Sequence, residues 1–203
     1  GDEEMREHYQ VWSVYYPTNA PIALNRYTIS KAFNGTLRHF DPSGTAPASH
    51  DMVFIGHSMG GVIARLMLSD SGDVLWENTR QRYNLQGERL ARVEAKLGPV
   101  LHFIPQPNVE RAIFLAAGSR LGRLIGRLVR LPLTILGAFG DAFMALQDPG
   151  ETDGKKPKEP VITNSIENLK ASDPFIEASS ALPIKPGLKY HSIIAKRKAD
   201  VPT

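Results

Sequence analysis

The chain has 203 residues, a formal net charge of +3, 42% hydrophobic and 22% charged residues, and no cysteine. That is enough chain to bury the core of one domain, read here as a single unit over 1–203. The composition excludes disulfides, thiolate metal sites and a cysteine nucleophile, and its mild, scattered positive charge makes no case for nucleic acid. No apolar run approaches the ~20 residues that span a bilayer, and Gly1-Asp2-Glu3-Glu4 does not open like a signal peptide.

Residues 1–8 are charged and read as a helix end or a loose terminus. Gln10 to Tyr16 is rich in β-branched and aromatic residues, which predicts a strand broken by Pro17-Thr18-Asn19. Ile22, Tyr27, Ile29, Phe33 and Leu37 have helical spacing, so Ile22 to Phe40 is a predicted helix. A loop over 41–47 follows. Met52 to Ile55 is a short apolar run that predicts a buried strand, and Gly61 to Leu68 carries an apolar helix pattern.

Between that strand and helix stands Gly56-x-Ser58-x-Gly60. A strand that reverses sharply into a helix forces its turn residue into strained backbone angles. The flanking positions must then be almost free of side chain, because the turn packs against both elements. Ser58 at the tip is the candidate nucleophile. The backbone N–H of Met59 would face the oxyanion formed when Ser58 attacks a carbonyl. Gly56, Gly60 and Gly61 belong to the elbow. His57 belongs to its surroundings only, because neighbours in a sharp turn point apart and a base must reach the serine oxygen.

Ser69 to Asp73 reads as a helix end and turn, without the even carboxylate spacing of a calcium loop. Residues 74–98 read as one helix and Pro99 to Pro107 as a connection, with His102 structural. Ala112 to Ala116 is a second apolar strand and Lys189 to Ala195 a further one. Strands alternating with helices predict an α/β fold, a mostly parallel sheet with helices on both faces. For 119–146, where Arg120, Arg123, Arg127 and Arg130 form one basic face, three readings stay open: a solvated surface helix, a cap or lid over an apolar pocket, and a membrane-surface helix. Residues 147–160 read as a mobile loop, and 166–182 as short helix punctuated by Asp173-Pro174.

The chain resembles the α/β-hydrolase superfamily, and within it a bacterial esterase/lipase-like branch. The stretches that carry the resemblance are Val11 to Thr18, Ile55 to Gly61, Val109 to Ala116 and Tyr190 to Ile194, in the family's order. Ala116-Ala117-Gly118-Ser119 is shorter than the family's turn at this point. The resemblance implies a serine carboxylic-ester hydrolase with an acyl-enzyme on Ser58, no metal or organic cofactor, and a small ester or lipid substrate. An apolar pocket lining from Met59, Val62 and 119–146 would suit an acyl ester.

The triad does not close in this reading. The superfamily order is serine, then carboxylate, then histidine. The last histidine is His191, inside a predicted strand, and the family's catalytic Asp and His follow that strand. No His-Gly oxyanion turn precedes Gln10. The chain thus resembles the middle of a hydrolase with both ends missing. Asp173 with His191, or Asp200, are the substitutes available. The alternatives are a non-catalytic hydrolase-fold protein that binds apolar ligands or membrane surfaces, and an acyltransferase with the same elbow. Open strand edges would favour self-association.

Overall fold

The computed structural model describes residues 3–18, 20–116 and 174–194. The 119–146 segment, the 147–160 loop, Asp173 and Asp200 lie outside the described residues. The described elements are α1 (Glu3–His8), α2 (Ile22–Phe40), β1 (Met52–His57), α3 (Met59–Met67), α4 (Val74–Arg82), α5 (Gly87–Leu101), β2 (Val109–Ala116), α6 (Pro174–Ser180) and β3 (Lys189–Ile194). The three strands form one parallel sheet in the order β1-β2-β3. The class is therefore mixed α/β.

Both steps, β1 to β2 and β2 to β3, run the same way across the sheet. Right-handed crossovers then put both connections on one face. In keeping with that, α6 in the second connection joins the first: its Phe175 and Ala178 pack on the core built by α2 to α5. Ile22 and Ile29 of α2, Ile63 and Leu66 of α3, and Val93 and Leu97 of α5 meet in that core. A buried arginine ties it together. Arg26 of α2 donates from Nη2 to the Val100 carbonyl at the end of α5 (2.9 Å), and its guanidinium lies 4.0 Å from the Phe103 ring centroid. Burial pushes its pKa down to about 10, so it stays charged at neutral pH.

Phe54 and Gly56 of β1 share a sheet face with Ala112 and Phe114 of β2, by register. The opposite face carries Ile55, Ile113 and Ile193, and Ile55 is 67% exposed. Cover on both faces was expected. Among the described residues the helices cover one.

Three other expectations change. Gln10 to Tyr16 is not a strand: it pairs with no neighbour among the described residues, and Val11 and Tyr15 are 82% and 93% exposed. Aromatic packing holds it instead, through an edge contact of Trp12 with Phe33 (6.3 Å) and of Phe33 with Phe54 of β1 (5.4 Å). A strand pattern specifies side chains that suit a sheet, but a strand also needs a hydrogen-bonding neighbour. Between this segment and α2 lies an open hollow of about 480 Å³, lined by Trp12, Tyr16, Leu24, Ile29 and Phe33 among others. Residues 74–98 form two helices, because the chain turns at Asn84, with φ of 45°, and buries Leu85. Asparagine tolerates that left-handed backbone better than most residues. Finally, α5 runs through Pro99 to Leu101 instead of ending before the proline.

Candidate functional site

The site is the junction of β1 and α3. Ser58 has φ of 54° and ψ of −121°, a backbone conformation that side-chain-bearing residues rarely adopt and that costs roughly 1–3 kcal/mol. Two hydrogen bonds hold it there. The Ser58 N–H donates to the Leu115 carbonyl of β2, and the Gly61 N–H donates to the Ser58 carbonyl, each at 2.9 Å.

The glycines explain themselves by distance. A Cβ on Gly56 would lie 2.5 Å from the Gly60 carbonyl oxygen and 2.6 Å from the Gly61 Cα. One on Gly61 would lie 3.2 Å from the Gly56 oxygen. Strand and helix are pressed together backbone to backbone, so a side chain at Gly56 has nowhere to go. The turn is tight because these positions are bare, and the tightness leaves Ser58 at the tip, half-buried.

The N–H groups of Met59 and Gly60, at the start of α3, have no hydrogen-bond partner among the described residues. The first N–H groups of a helix are free by construction and favour negative charge. The Met59 side chain is 7% exposed and sits in the core, and Val62 packs against that core. These two side chains therefore help build the core, and the 119–146 part of the expected pocket lining lies outside the described residues. His57 is exposed and makes no hydrogen bond among the described residues.

His191 does not reach the elbow. It stands on β3 opposite Ile113, which stands opposite Ile55. Two strand spacings separate it from β1, about 10 Å, and Ile55 itself lies three residues short of Ser58. His102 places Nε2 3.2 Å from an Asp73 carboxylate oxygen and Nδ1 3.2 Å from the Gly98 carbonyl oxygen, both acceptors, beyond the other end of α3. That pair joins the start of α4 to the end of α5, consistent with a structural role. In the 70–73 turn, the Asp70 carboxylate accepts the Gly72 N–H (2.9 Å), an ordinary turn contact. Among the described residues no three His, Asp or Glu side chains gather as a metal site would require.

One residue at the site was not singled out from the sequence. A Cβ on Gly60 would lie 3.3 Å from the Tyr16 hydroxyl oxygen. Tyr16 is half-buried, and burial pushes its hydroxyl above the usual tyrosine pKa. The available signal was an aromatic residue ending the run just before Pro17.

Comparison with protein-family models, curated proteins and solved structures gave no match.

Proposed function

We propose that this chain carries the nucleophile elbow of a serine carboxylic-ester hydrolase with the α/β-hydrolase fold, acting through an acyl-enzyme on Ser58. The observation that carries the reading is the strained Ser58, held between a strand and a helix that touch through Gly56, Gly60 and Gly61. A structure bears such strain where it positions a reacting group. In the reaction, Ser58 Oγ adds to the ester carbonyl carbon and passes its proton to a base. The carbonyl oxygen becomes an oxyanion facing the Met59 N–H. The C–O bond to the alcohol then breaks, and the alcohol leaves with a proton. Water repeats the sequence on the acyl-enzyme and releases the acid. All six histidines of the chain lie among the described residues, and neither His191 nor His102 lies at the elbow, so this reading assigns the base to neither of them.

The test is intact mass after incubation with a fluorophosphonate, alongside turnover of p-nitrophenyl butyrate, for the chain and for Ser58→Ala. One adduct per chain and measurable turnover are expected, both absent in Ser58→Ala. An adduct that survives the alanine substitution, or none at all on the parent chain, sinks the assignment. The latter result favours the non-catalytic, ligand-binding alternative.

A further inference from the structure

We propose that the Tyr16 hydroxyl is a second donor to the oxyanion formed at Ser58, acting beside the Met59 N–H. The inference rests on Ser58 being the nucleophile and adds a catalytic residue to that reading.

The geometry starts from Gly60. In a helix each Cα–Cβ bond tilts toward the N-terminus. A Cβ built on Gly60 therefore points back over the first turn of α3, toward Met59 and Ser58. Outside its own helix turn, the Tyr16 oxygen is the nearest heavy atom it would meet, at 3.3 Å. The hydroxyl thus lies over the first turn, on the side where the free N–H groups begin. It approaches this closely because Gly60 has no side chain. That gives Gly60 a purpose apart from the contact of Gly56 with Gly61.

The mount that holds Tyr16 is built from buried groups. Asn25 of α2 is 2% exposed, and its Nδ2 donates to the carbonyls of Pro17 (2.9 Å) and Ala20 (3.2 Å). The Ala20 N–H donates to the same Pro17 carbonyl (3.2 Å). Pro17 restricts the backbone of Tyr16 from the other side. The Tyr16 ring packs against the core. A ring fixed in this way carries its hydroxyl to one place. The hydroxyl itself has no hydrogen-bond partner among the described residues, so its proton is free to be donated. Burial keeps the group in its protonated form across the neutral range. An oxyanion hole needs preorganised donors where charge develops, and a single backbone N–H is a thin supply. Tyr16 comes from a different part of the chain and approaches the same turn.

The test compares Tyr16→Phe with the parent chain and with Ser58→Ala. Phenylalanine keeps the ring and removes the hydroxyl. The measurements are kcat and KM for p-nitrophenyl butyrate, the phosphonylation rate by intact mass, and Tm. A fall in kcat of about 10²-fold or more, with KM within about twofold and Tm unchanged, is the expected result. The phosphonylation rate should fall with kcat. Two results overturn the role of Tyr16 while leaving Ser58 in place: a Tyr16→Phe rate within about threefold of the parent, or a loss in which Tm falls and KM rises in step, the mark of a packing residue. A parent chain that neither turns over ester nor forms an adduct overturns the nucleophile assignment, and the role of Tyr16 falls with it.

Discussion

The two ends of α3 are built on opposite terms. At its C-terminal end the backbone carbonyls of Arg65, Leu66, Met67 and Leu68 all have donors. The Arg65 carbonyl accepts the Ser69 hydroxyl (2.8 Å) and the Leu68 N–H, and the Leu66 carbonyl accepts the Ser69 N–H. The Met67 carbonyl accepts the Gln106 N–H, and the Leu68 carbonyl accepts the Lys185 N–H. Leu68 and Ser69 are fully buried there. At its N-terminal end, nine residues away, the N–H groups of Met59 and Gly60 have no partner among the described residues and Ser58 is strained. In the proposed reading the strained end is the one that carries the chemistry, and the two ends are separately breakable.

The largest stability effect should come from Gly56→Ala. The added methyl would sit 2.5 Å from the Gly60 carbonyl oxygen and 2.6 Å from the Gly61 Cα, both backbone atoms with no rotamer to escape into. A loss of about 3 kcal/mol is expected, at the upper end of overpacking costs, together with loss of any phosphonate adduct as the turn opens. Urea unfolding of the variant measures the first and intact mass the second. A variant as stable as the parent would mean that strand and helix are not pressed together. At the other end, Arg65→Ala tests what the packing of α6 onto the last turn of α3 is worth. Arg65 donates from Nη1 to the Ser179 carbonyl (2.7 Å) and from Nη2 to those of Ser180 (2.8 Å) and Leu182 (3.2 Å). It closes the C-terminal end of α6 from the neighbouring helix. Charged hydrogen bonds of this kind contribute more than neutral ones, and the site is partly open to solvent, so about 2 kcal/mol is the expected loss. Adduct formation at Ser58 should persist below the new Tm. If labelling disappears in the folded variant, the two ends are coupled and the contrast between them is wrong.

How much of this was legible in the sequence follows from the range of each interaction. The turn from strand to helix was readable because its causes lie within ten residues, from Met52 to Gly61: a strand run, three glycines and a serine. The helix over 22–40 and the strand from Lys189 were readable from periodicity and residue type. Gln10 to Tyr16 misled because its composition suits a sheet while its neighbours do not complete one. The break between α4 and α5 depends on burying Leu85, which only the assembled core can reward. The partners of Arg65 are 114 to 117 residues away, and no local pattern announces them. The same holds for Tyr16 at Gly60 and for the distance from His191 to the elbow, which follows from strand order. The nucleophile was therefore a local inference, whereas its surroundings required the fold.

The smallest effect, and the one that sharpens the comparison most, separates strain from chemistry. Ser58→Ala and Ser58→Gly both remove the hydroxyl, so both should be silent toward the phosphonate. They differ in what the backbone feels. Alanine keeps a Cβ at φ of 54° and ψ of −121°, whereas glycine occupies that region freely. Relief of roughly 1–3 kcal/mol of strain is opposed by the greater freedom of glycine in the unfolded chain, about 0.5–1 kcal/mol. Ser58→Gly should therefore be more stable than Ser58→Ala by about 1 kcal/mol, read from paired urea titrations with equal slopes. Equal stabilities would mean that the turn holds no strain at Ser58, and the elbow would then be an ordinary strand–helix connection. A glycine variant more stable than the parent as well would show that the parent carries a backbone cost at Ser58 that its side chain imposes.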